Sequence, residues 1–134
     1  MNTQVAKNWD IGKNNKVLES IHQKDINIAI LDRDTSHLKK EINHLLKQKI
    51  KLQSSGGLKQ IINALIKTIN PIEYSLIVED IKKLLHHFKK ISNSNNFRLS
   101  LATINTNMCR KFHTDINDLR MLCTYSGRFN DDWA

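Results

Sequence analysis

His113-Thr114-Asp115 is the arrangement in this chain best suited to chemistry. On an extended segment, residues i and i+2 lie on the same side. The His113 imidazole and the Asp115 carboxylate could therefore grip one divalent ion. One histidine and one carboxylate are two of the three protein ligands in the facial triad that holds non-haem Fe(II) and leaves positions open for oxygen and a cosubstrate. Phe112 would shield one flank, and Arg120 could neutralise or anchor an anion nearby. Cys109, four residues before His113, is a candidate accessory thiolate, and sulfur beside nitrogen and oxygen would suit Zn(II). Each feature also has a plainer reading. His-x-Asp arises often by chance, and a surface histidine beside an aspartate need hold nothing. Cys123, inside an apolar run, reads as a buried thiol. Arg120 alternates with Leu119 and Met121 and reads equally as a solvent-facing strand residue.

The other histidines do not complete the set. His37 and His44 are a heptad apart on a predicted helix, about 10.5 Å along the axis, too far to share an ion. His86 and His87 are adjacent on a helix and point about 100° apart. All four are expected at helix surfaces, and His22 falls where no element is assigned.

The elements that must position these residues can be read from periodicity. Residues 1–22 are polar and expected to be poorly ordered, with at most a helical turn around Val17-Leu18. Ile26, Ile28 and Ile30 alternate and predict a strand with those three on one face. Asp34-Thr35-Ser36 is N-cap chemistry. Leu38, Ile42, Leu45 and Leu46 then predict a helix over 35–52, stopped by Ser54-Ser55-Gly56-Gly57. Leu58, Ile61, Ile62, Leu65, Ile66 and Ile69 predict a second helix that ends before Pro71. With Pro71 in its first turn, a third runs to about Ile91. Ser92–Asn96 reads as a loop. From Phe97 to Ile104 the period changes to two, and a second strand-like run covers Leu119–Tyr125. The fold class is therefore α+β: an N-terminal strand, three amphipathic helices, then the first strands of an incomplete sheet.

Composition bounds the function classes. The 134 residues fit one domain with a modest core. Aromatics are only 6%, so Ile and Leu must build that core. The net charge of +8 raises nucleic acid or an anionic surface as a partner. The lysines, however, are dispersed, their longest runs are pairs such as Lys39-Lys40, and no aromatics interleave with them. That pattern reads as a solvated positive surface and counts against nucleic acid. No stretch approaches the roughly 18 apolar residues of a membrane span, and no secretory signal opens the chain. A cytoplasmic location with both thiols free is the expectation.

From about Ile26 to Gly127 the chain resembles an uncharacterised bacterial family, domain of unknown function 1826. The resemblance rests on Ile28-Ala29-Ile30-Leu31-Asp32-Arg33. It rests more strongly on Cys109-Arg110-Lys111-Phe112-His113-Thr114-Asp115 and on Leu119-Arg120-Met121-Leu122-Cys123-Thr124-Tyr125-Ser126-Gly127. In the family, the Thr-Tyr-x-Gly block is followed by Pro-Gly-Thr, more strands, a later His-Arg-Ser-Pro block and a C-terminal Arg. That layout is similar to Fe(II)/2-oxoglutarate oxygenases on a double-stranded β-helix, an analogy of spacing. Here Gly127 is followed by Arg128-Phe129-Asn130 and the sequence stops at Ala134. The resemblance thus implies a shortened member, with residues 23–127 as an incomplete domain and 128–134 as an atypical tail.

The resulting expectation is a metal-site domain, oxygenase-like in ancestry. It is inactive or only metal-binding by itself, with His113 and Asp115 as ligands to Fe(II) or Zn(II), Arg120 as an anion or cosubstrate contact and Cys109 as an accessory ligand. The competing expectation is a non-catalytic module that self-associates through an uncovered sheet.

Overall fold

The structure is a computed structural model that describes residues 9–104, 107–114 and 119–125, and for 104 and 107–114 the backbone alone. The chain divides into two compact units, Met1–Asp34 and Thr35–Ala134. Expectations that fall on Asp115, Ser126–Gly127 and the tail 128–134 lie outside the described residues.

In the first unit, strand β1 (Trp9–Gly12) pairs in parallel with β2 (Ile28–Leu31). A parallel pair needs a crossover of a dozen or so residues. Here it contains a 3-10 helix, Asn15–His22, capped by the Asn14 side chain, which accepts from the Lys16 N–H at 2.9 Å. The turn expected around Val17-Leu18 is this helix. The expected strand at Ile26 begins two residues later, at Ile28. Gly12 is where the crossover comes close: a Cβ there would lie 3.2 Å from that of Val17.

The second unit stacks helices on one face of a four-stranded antiparallel sheet, in the order β3-β4-β5-β6. Its helices are α1 (Lys39–Leu45), α2 (Leu58–Thr68) and α3 (Ser75–Ser92). Its strands are β3 (Lys51–Gly56), β4 (Phe97–Ile104), β5 (Asn107–Thr114) and β6 (Arg120–Thr124). The α+β class holds. The predicted helix over 35–52 does not: it starts as a 3-10 turn at Ser36 and ends at Leu45. The rest of that range enters β3. Ile50 and Leu52 alternate with Lys49, Lys51 and Gln53, a period of two that a helix cannot bury on one side. Thr103 anchors the entry, its Oγ accepting from the Ile50 N–H and donating to the Gln48 carbonyl, both at 3.0 Å.

Helix α3 starts four residues later than Pro71 suggested. Asn70 Oδ1 accepts from the N–H groups of Ile72 (2.9 Å) and Glu73 (3.3 Å) and holds the chain in a turn. The first turn of α3 then finds a cap on another helix. The Glu41 carboxylate of α1 accepts from the N–H groups of Leu76 (3.2 Å) and Ile77 (3.0 Å), where the helix dipole favours negative charge. The helix closes on Asn93 in the left-handed conformation, φ 52°. Ile61, Leu65, Ile77, Ile81, Leu85 and Phe88 from the helices, with Leu52, Phe97, Leu99 and Leu101 from the sheet, form the core. Of the aliphatic stripes read from the sequence, Leu38, Ile42, Leu45, Ile61, Leu65 and Ile69 are buried, while Leu46, Leu58, Ile62 and Ile66 are half-buried at the edge of the core.

Candidate functional site

Strand alternation sorts the sheet residues of the second unit into two sets. Phe97, Leu99 and Leu101 are buried under the helices. Arg98 and Ser100 stand on the opposite, open face, as do Lys51, Gln53 and Ser55 on β3, and all of these except half-buried Ser100 are exposed. The register carries that face onto β5 and β6. Arg98 pairs with His113, and His113 with Arg120; Ser100 pairs with Lys111, and Ala102 with Cys109.

His113 therefore lies within a strand, as the i, i+2 argument requires up to Thr114, and its neighbours across both strand boundaries are arginines. Arg120 is exposed and directly opposite His113. Arg98, on the other side, was not singled out from the sequence. Only the pairing of β4 with β5 reveals it, because the two positions are fifteen residues apart and nothing local links them. Asp115 and the His113 side chain lie outside what is described. Among the described residues no group of three His, Cys, Asp or Glu side chains is placed to hold a metal ion.

The register also gives the place of Cys109. It stands on the same face as His113, but four residues along an extended strand span about 13 Å. Cys123 is on the opposite face, half-buried and packed against the core, close to the buried thiol expected of it. Tyr125 is buried, 7% exposed, and its hydroxyl donates to Asp80 Oδ2 of α3. The tyrosine of the Thr-Tyr-x-Gly block thus fastens the end of β6 to the helical layer.

The remaining histidines are dispersed. His44 is on the surface side of α1, yet its ring stacks on Tyr74 with centroids 5.6 Å apart. Its Nδ1 lies 3.0 Å from the Tyr74 hydroxyl and 3.5 Å from Glu73 Oε1. Gln48 Nε2 donates to the same hydroxyl at 2.8 Å. Burial, and then the charges of Glu73 and Glu41, push the Tyr74 phenol above its ordinary 10.0. His86 is exposed and His87 half-buried, its Nε2 with no hydrogen-bond partner. His86 lines an open cleft of about 550 Å³ with Gly57, Lys59, Asn63, Lys89 and Asn95, away from the His113 row. A smaller cleft of about 250 Å³ lies between Tyr125 and Ser36, Lys39 and Asn43.

No helix among the described residues is long and apolar enough to cross a membrane. No curated protein and no solved structure matches the chain. One family profile does, over residues 12–131, wider at both ends than the blocks that carried the resemblance. The chain belongs to that family, described as a protein of unknown function (DUF1826).

Proposed function

We propose that the chain is a metal-binding protein, oxygenase-like in its site, in which His113 and Asp115 hold a divalent ion and Arg120 receives an anionic group beside it. The observation that carries this reading is the register: β5 is extended through His113, and Arg120 stands directly opposite it. An imidazole nitrogen and a carboxylate oxygen suit Fe(II) or Zn(II). Two protein ligands leave the ion open, and by itself the chain binds metal without turning over a substrate. The fold that accompanies the reading is partly double-stranded β-helix-like, with the open face of the sheet as an inner face.

Anaerobic Fe(II) titration, with Zn(II) in parallel, tests this on the wild-type protein and His113→Ala. Stoichiometric binding that is lost in the variant is the expected result. Equal affinity in the two proteins would remove His113 from the site.

For the second reading, a non-catalytic module that self-associates, a separate observation speaks on the small sheet of the first unit rather than on the incomplete sheet that begins at Phe97. On β1 and β2, Trp9, Ile11 and Ile28 share one face and are 43%, 51% and 55% exposed. Burying the exposed half of such a side chain in a second copy would contribute roughly 1 kcal/mol. Under this reading light scattering finds a dimer, which Ile28→Glu dissociates. A wild-type monomer at high concentration would reject it.

A further inference from the structure

Away from the His113 row, the open cleft of about 550 Å³ joins two kinds of surface. Its volume is within the range of small-molecule sites. Leu58 and Ile62, one turn apart on α2 and both half-buried, form an apolar floor. They pack against the edge of the core, so their outer parts face the cleft. Around them stand three basic side chains, Lys59 of α2 with His86 and Lys89 of α3, all exposed. His86 and Lys89 are at i and i+3 and share one helix face. None of the lining residues is acidic. Helix α2 contains no Asp or Glu, and both carboxylates of α3 are engaged in its first half: Glu79 lies 3.7 Å from Lys82, and Asp80 accepts from Tyr125. Glu41 and Glu73 are held at the start of α3, by its N–H groups and by His44. The second unit's other carboxylates, Asp115, Asp118, Asp131 and Asp132, fall outside the described residues. Among the described residues neither Lys59 nor Lys89 is in an ion pair.

We propose that this cleft binds a free amphipathic carboxylate, its short acyl chain laid on Leu58 and Ile62 and its head held by the rim of Lys59, Lys89 and His86. Lysine ammonium groups are flexible point charges and do not impose the paired geometry by which arginines select phosphates. A single monoanionic head satisfies them. The apolar floor supplies affinity, and the cations fix which end of the ligand faces solvent. Asn63 and Asn95 add neutral donors at the rim. Size decides against a protein partner. A standard protein interface takes about 20–30 residues a side, whereas eight residues line this cleft.

The inference does not depend on His113 and Asp115, and its test is run on the full chain without added metal. Calorimetry follows acetate, hexanoate, octanoate and decanoate, below micelle-forming concentrations and at fixed ionic strength. The proteins are wild type, Lys59→Gln, Lys89→Gln, the double variant and, as a charge control in the last turn of α2, Lys67→Gln. All of these lysines are exposed, so the substitutions leave the core untouched. The expected result is one saturable site for octanoate and decanoate, none for acetate, and tightening of about threefold per added methylene. Each cleft lysine variant should weaken decanoate binding about twofold to fivefold, the double variant should weaken it further, and Lys67→Gln should leave it unchanged. Equal loss in Lys67→Gln, affinity independent of chain length, or undiminished binding in the double variant would overturn the proposal. So would binding confined to vesicles of an anionic phospholipid. Binding that emerges only when Asp131→Asn and Asp132→Asn are combined would overturn it as well, because the chain's own carboxylates would then be the occupant.

Discussion

At the scale of single residues, a few side chains join elements that are far apart in sequence. Tyr125 holds the end of β6 to α3 through Asp80. Its replacement by Phe should cost about 1–3 kcal/mol in urea unfolding, the usual range for a bond to a charged group. Gly56 has φ +136°, and a Cβ there would collide with Gln60 Oε1, which itself accepts from the Gly57 N–H at 2.9 Å. Gly56→Ala should therefore destabilise by about 1–3 kcal/mol, whereas Lys59→Ala, on the exposed side of the same helix, should be within about 0.5 kcal/mol of wild type. Tyr74 gives a pH signature. Its pKa is raised by burial and by Glu73 and Glu41, so the unfolded chain loses this proton first as pH rises. The stability it contributes is complete below pH 10 and is lost as pH climbs from 10 toward the folded value. Stability measured from pH 8 upward should fall less steeply past pH 10 in Tyr74→Phe than in wild type; parallel curves would show that other groups dominate.

At the scale of elements, the long aliphatic helices were legible because their stripes are long and regular. Helix α2 ends where Pro71 required, and Leu58 opens it as read. What local pattern could not supply was partnership. The stretch from Lys47 to Leu52 carries helix-forming Lys and Gln, and their propensity masks the alternation of Ile50 and Leu52. The tertiary pairing of β3 with β4 decides between the two. Strand β5 was hidden for the opposite reason. Arg110 and Lys111 interrupt its apolar pattern, and its backbone is fixed by neighbours on both sides. The candidate site was half legible on the same account. His113 and Arg120 stood out by residue type, while Arg98 became part of the row only through register. The cap that Glu41 places on α3 is an element-scale contact too. Glu41→Gln should lower stability by about 1 kcal/mol in denaturant titration, since the amide loses the charge that faces the helix dipole.

At the scale of the whole molecule, polarity is divided by layer within the second unit. The helices and one sheet face enclose Ile, Leu and Phe, and the other face displays Lys51, Arg98 and Arg120. That separation explains how a chain with lysines scattered along its length still gathers arginines in one place. Dispersion in sequence says little about dispersion on a sheet, because pairing brings together residues tens of positions apart. The first unit differs. Its large apolar residues Trp9, Ile11 and Ile28 are exposed, and its parallel pair is only four residues long on each strand. A two-stranded sheet of this size is marginal in isolation, so hydrogen exchange should be faster in Ile28–Leu31 than in Leu99 and Leu101. Equal protection would show that the two units open together.

The pairing of β3 with β4 also bears on how the chain emerges from synthesis. Lys51–Gly56 is made before α2, α3 and the strand it pairs with, which begins at Phe97. At about 5–20 residues per second, the segment waits several seconds for its partner. Its exposed alternation of Lys51, Gln53 and Ser55 leaves only Leu52 as a large apolar side chain within the strand, which offers little to another nascent chain during that wait.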